Sequence, residues 1–85
     1  MPDKIKVTYR GALAPLTKCA EEMVEAAIVK DVMRHVKTNY GAAAEKIAKT
    51  MVIAVNGHSI LHLDMYKTAL GKGDVVSFLP ICGGG

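Results

Sequence analysis

The sequence predicts an α+β domain in which one sheet packs on one main amphipathic helix. Three features of the chain point there. Residues Lys4 to Arg10, KIKVTYR, alternate apolar and polar side chains, the period of a half-buried strand. Residues Ile28 to Tyr40 repeat with the period of a helix, with one apolar and one charged face. Asn56-Gly57 lies between two short apolar segments, and Asn-Gly is a strong hairpin signal because both residues tolerate positive φ.

The elements follow in order. In the first strand Ile5, Val7 and Tyr9 form the apolar face. Gly11 to Lys18 contains Gly11 and Pro15 and reads as a connection. Ala20 to Glu25 is a weaker strand, with Met23 and Val24 among three glutamates. In the long helix Ile28, Val29, Val32, Met33, Val36 and Tyr40 share one face, and Lys30, Asp31, Arg34 and Lys37 the other. Ala26 and Ala27 offer no capping side chain at its start, and Gly41 is placed to end it in a left-handed conformation. Ala42 to Lys49 is Ala-rich and helical for a turn or two, anchored by Ile47.

Met51 to Val55 is a short β-branched strand, and a second short strand starts at His58 and includes Ile60. Leu63 to Leu70 is an irregular crossing, with Leu63, Met65 and Leu70 available to plug the core. Gly71 to Asp74 is a turn, Val75 to Leu79 the last strand, and Pro80 its end, because proline lacks a ladder donor. Alternation sets Val76 and Phe78 on the face toward the helix and Val75, Ser77 and Leu79 on the other.

The chain has 85 residues, which suits one domain over residues 1–80 with a tail over 81–85. Its net charge is +3, and its basic residues are scattered among acids along the sequence, so a nucleic-acid partner is not expected. No apolar run is long enough for a signal peptide or a membrane span, and a cytoplasmic location without membrane contact is expected. Cys19 and Cys82 lack metal-ligand spacing and are expected as free thiols, Cys19 as a buried small hydrophobe. His58 and His62 stand four apart but lack the glutamate of the zinc-protease motif, so no metal site is expected, and His35 reads as a solvated helix residue.

Gly83-Gly84-Gly85 is the feature that asks for a function. Glycine has no Cβ, passes narrow channels and adds nothing to a core. From Pro80 onward six extended residues reach roughly 20 Å. A globular head on such an arm presents a carboxylate that can enter another protein's active site.

From Met51 to Gly85 the chain resembles the second half of molybdopterin synthase small subunits and of their relatives, the thiamine-pathway sulfur carriers. The residues that carry the resemblance are Val55-Asn56-Gly57, Leu63 and Leu70, Gly73-Asp74-Val75-Val76-Ser77-Phe78-Leu79-Pro80, and Gly84-Gly85. The chain departs from that pattern at the extra Gly83, at Ile81 where a second proline is common, and at the helix start, which lacks the usual threonine.

The resemblance implies a ubiquitin-like β-grasp fold: a mixed sheet of four to five strands wrapped on the helix, its first and last strands central and parallel. It also implies a cycle. A ubiquitin-activating-type enzyme, using ATP and magnesium, adenylates the carboxylate of Gly85, with Gly84 beside it at the reacting end. Sulfur from sulfide or a donor protein then gives a thiocarboxylate for molybdopterin formation with the synthase large subunit. No cofactor is bound permanently. Phe78, Leu79, Pro80, Ile81, Cys82 and Gly83 are the residues expected to meet these partners, with core packing the alternative for Leu79. Cys82 either carries a persulfide or mixed disulfide or is simply a small residue of the arm. Two other functions stay open: a ubiquitin-like modifier joined to lysines, and a β-grasp interaction module with an inert tail.

Overall fold

The computed structural model describes residues 2–81. Five strands form one mixed sheet in the order β2-β1-β5-β3-β4: β1 Asp3–Tyr9, β2 Glu21–Ala26, β3 Val52–Val55, β4 His58–Ser59 and β5 Val75–Leu79. The first and last strands are central and parallel, with Val7 beside Val76 and Tyr9 beside Phe78. β1 also pairs antiparallel with β2, and β5 with β3. Parallel neighbours need a crossover, and the helices supply it on one face of the sheet.

Between β1 and β2 the connection is helical. It forms a 3-10 turn, Gly11–Leu13, and a short helix α1, Ala14–Thr17, which closes on the left-handed Lys18 at φ 59°. Leu13 is fully buried there and plugs that end of the core.

The main helix α2, Val29–Tyr40, buries Val29, Val32, Met33 and Val36. Its start is capped from within. The Asp31 carboxylate accepts from the backbone N–H groups of Ala27 at 3.0 Å and Ile28 at 3.2 Å. That is the reaching-back half of a capping box, with no side-chain acceptor at the first position. Gly41, at φ +94° and ψ 171°, ends α2 and starts α3, Ala42–Lys49. This region of backbone space is essentially closed to residues with a Cβ, so the sharp joint depends on glycine. The buried residues of α3 are Ala44 and Ala48, and Ile47 is only half-buried. Small side chains, not the isoleucine, let α3 sit close to α2.

The hairpin after β3 turns on Asn56 at φ 52° and Gly57 at φ 85°. β4 stops after two residues, and Ile60 begins a 3-10 turn, Ile60–His62, rather than extending the strand. Ile60 still reaches the core at 4% exposure. Of the three crossing residues expected inside, only Leu70 is buried, and Leu63 and Met65 lie on the surface. The crossing is held by backbone bonds: the Val29 N–H donates to the Thr68 carbonyl at 3.1 Å and the Leu70 N–H to the Ala27 carbonyl at 2.9 Å. With those bonds made, the segment needs fewer apolar plugs.

Candidate functional site

β5 enters the sheet through a polar clamp. Asn56 donates its side-chain amide N–H to Asp74 at 3.0 Å, and its side-chain oxygen accepts the Val75 N–H at 2.9 Å. Asp74 also accepts the Gly71 N–H at 2.8 Å. The two bonds from Asn56 and Gly71 hold the Asp74 carboxyl below its ordinary range. The residues of the hairpin and of the turn before β5 are thereby joined.

At its other end β5 delivers the chain to the tail. Val76 and Phe78 are fully buried, and the Phe78 ring stacks on Tyr9 with centroids 5.8 Å apart and planes at 17°. Phe78 is therefore core, not a residue that meets a partner. It holds the surface above it in place. Leu79 is half-buried opposite Val52, Pro80 is exposed, and Ile81 is 62% exposed. Cys82, Gly83, Gly84 and Gly85 lie outside the described residues.

Pro80 rests against Gly11, which the sequence did not single out beyond a turn. Gly11 has φ +60°, and a Cβ there would stand 3.2 Å from Pro80 Cβ. Two requirements meet at one residue: a left-handed backbone, and room for the proline. Around this contact Ala12, Ile47, Thr50, Met51, Pro80 and Ile81 line a shallow, mainly apolar groove at the root of the tail. Ile47 thus faces the tail side, which explains its incomplete burial.

The ThiS family model matches residues 7–85. The chain belongs to the ThiS family.

ThiS-family proteins are ubiquitin-like sulfur carriers. Solved structures agree with the β-grasp fold. The small archaeal modifier protein 1 of Methanosarcina acetivorans has a TM-score of 0.88 at 22% identity, over 100% of this chain and 99% of that one. A chain in the complex of subunits 1 and 2 of molybdopterin-converting factor from Helicobacter pylori is of the same fold. That match has a TM-score of 0.69 at 26% identity, over 95% of this chain and 99% of that one. The Amycolatopsis orientalis BexX/CysO complex gives 0.78 at 17% identity, over 95% and 99%. No curated protein sequence matches at significance.

In this ThiS-family chain a second cluster supports the tail root from below. The Glu22 carboxylate on β2 accepts from the Tyr9 hydroxyl at 2.5 Å and the Tyr40 hydroxyl at 2.7 Å, and it lies 3.1 Å from His35 Nε2. Burial pushes its pKa up, but the bonds from Tyr9, Tyr40 and His35 outweigh that and set it below the ordinary range. Burial and the adjacent carboxylate raise both tyrosines, so their protons stay on the hydroxyls. His35 is thus a partner of Glu22 and not a solvated residue. The signal available in the sequence was its position: on a helix, His35 and Tyr40 border the face that carries Val32 and Val36. Cys19 is half-buried, its sulfur 3.9 Å from the Tyr40 hydroxyl. Among the described residues no group of three or more His, Cys, Asp and Glu side chains could hold a metal ion, and no helix is long and apolar enough to cross a membrane.

Proposed function

We propose that this chain is the sulfur-donating small subunit of a molybdopterin synthase, working through the carboxylate of Gly85. One observation carries the reading: the central strand of a ThiS-family fold ends in the exposed residues Pro80 and Ile81, and the family match continues to residue 85. The likeness to a molybdopterin-converting factor subunit found with its partner subunit supports the choice of pathway.

The chemistry asks little of the head. A carboxylate is a poor electrophile. Attack of a Gly85 carboxylate oxygen on the α-phosphorus of ATP expels pyrophosphate and leaves an acyl-adenylate. Hydrosulfide then adds to the acyl carbon, AMP leaves, and a thiocarboxylate remains. That group is anionic and polarizable, a nucleophile carried on a polypeptide end. The activating enzyme supplies the ATP and magnesium site, and the large subunit supplies the acceptor. Leu79, Pro80 and Ile81, with the groove at the tail root, are the surface both would dock on.

Incubation with an adenylating enzyme of the ubiquitin-activating type, ATP-magnesium and sulfide, followed by intact mass spectrometry, tests this. Replacement of one oxygen by sulfur is expected, together with dithiolene formation once the large subunit and its precursor are added. Absence of the sulfur-exchanged species overturns it.

A second reading is a protein modifier, favoured by the description of the Methanosarcina neighbour as a modifier protein. Both readings share the adenylate and part after it. Lysine-linked ladders on a denaturing gel would favour the modifier.

A further inference from the structure

The lysines that looked scattered along the sequence are gathered by the fold. Lys30, Arg34 and Lys37 lie on α2 at spacings of four and three, so they form one row. With Lys49 of α3 and Lys67 of the crossing they rim a groove whose floor contains Met33 and Tyr66. Glu45 is the single acid on the rim. Five cations against one carboxylate give the groove a formal +4, more than the +3 of the whole chain. Of these five cations only Arg34 has an acidic partner among the described residues, Asp31 at 3.5 Å. Lys30, Lys37, Lys49 and Lys67 have no carboxylate within 4.0 Å there. Like charges at this spacing repel, and an anionic occupant would relieve that repulsion.

We infer that this groove docks an acidic segment of a partner protein, one carrying an aliphatic or aromatic anchor for the Met33–Tyr66 floor. The groove shares no residue with the one at the tail root. A partner can therefore hold the head here while the tail is elsewhere engaged. The cations run for about 10 Å along α2 and also stand on the opposite wall. This suits a short peptide laid between two walls, with acids on both sides and an apolar residue beneath. A nucleic-acid strand would ask for a longer basic track and exposed rings for its bases, whereas the floor has one half-buried tyrosine. A second copy of this chain offers no acidic run: on β2, Glu21 already pairs with Lys6 at 3.3 Å and Glu22 is taken by Tyr9, Tyr40 and His35, which leaves Glu25 alone on that strand.

The test uses the full chain and a labelled heptapeptide, Glu-Asp-Leu-Glu-Glu-Leu-Asp. Binding is followed by fluorescence anisotropy, and the site is mapped by amide chemical shifts. Shifts are expected along α2, α3 and residues 65–67. Affinity should fall with salt and fall again when both leucines become serines. Lys30→Gln/Lys37→Gln/Lys49→Gln should weaken binding about tenfold, equivalent to about 1.4 kcal/mol from three partly screened contacts. Lys4→Gln/Lys18→Gln/Lys72→Gln changes net charge equally and should leave it within about twofold. All six lysines are exposed, so both variants should fold. Equal loss in both variants, shifts mapping elsewhere, or no salt dependence would each overturn the proposal. So would tighter binding of a single-stranded oligonucleotide than of the peptide, or self-association in sedimentation that the groove variant abolishes.

Discussion

The two ends of β5 are built by opposite means. At its entry, side-chain and backbone hydrogen bonds from Asn56, Gly71 and Asp74 fix the strand, and Gly73 takes φ +90° with nothing within 4 Å of where its Cβ would be. At its exit, support comes from packing: Phe78 on Tyr9, and Pro80 on Gly11. Polar bonds fix register and direction. Packing from one side fixes position and leaves the other side open. A strand that must begin in a fixed place and then hand its chain to other proteins needs the first at one end and the second at the other.

Deleting Gly84 and Gly85 should have the largest effect on function and almost none on stability. Sulfur loading, read by intact mass, should vanish, while the melting temperature stays within about one degree, since glycine has no side chain to bury in a core. Unfolding on deletion would mean that the tail belongs to the fold. Phe78→Ala is the reverse case. Removing a fully buried ring should cost about 3–5 kcal/mol in denaturant unfolding. A loss under about 1 kcal/mol would mean that the ring is not part of the core and is free to meet a partner.

The two glycines sharpen the comparison. Gly73→Ala meets only the left-handed backbone cost, about 1–2 kcal/mol. Gly11→Ala meets that cost and also forces its Cβ to 3.2 Å from Pro80. It should be the more destabilising by up to about 1 kcal/mol and, unlike Gly73→Ala, should raise the KM of the activating enzyme for this chain. Equal behaviour of the two would remove Gly11 as the support of the tail root.

Much of this was legible in the residues. The strand pattern KIKVTYR, the helical face from Val29 to Val36, Asn56-Gly57 and Val76/Phe78 each agree at several levels, from propensity to burial. Misreadings fell where tertiary contacts decide. Leu63 and Met65 looked like plugs because they are apolar, but backbone bonds at Thr68 and Leu70 hold that segment. Ile47 looked like an anchor because it is the largest apolar residue of α3, but close helix packing selects Ala44 and Ala48. The root of the tail was visible as Leu79-Pro80-Ile81, whereas its seat at Gly11 was hidden by a separation of nearly seventy residues. The basic groove was hidden likewise, because alternation with acids along a helix says nothing about what stands opposite.

The last expected effect concerns the support beneath the exit. Glu22 holds Tyr9, and Tyr9 underlies Phe78. The carboxyl of Glu22 has a folded-state pKa below its ordinary 4.5. A group depressed in the folded state lends stability in full above its unfolded pKa and loses it as pH falls through the folded value. Stability should therefore be flat from neutral pH down to about 5 on this account, then drop as the carboxylate is protonated. Glu22→Gln keeps the shape but replaces charge-assisted bonds with neutral ones, at a cost of about 1–2 kcal/mol near neutral pH. The variant's deficit should shrink in acid, because the wild type then loses the same charge. Parallel curves for the two proteins across that range, in thermal melts, would show that the Glu22 charge does not brace Tyr9. The exit of β5 would then rest on ring packing and on Gly11 alone.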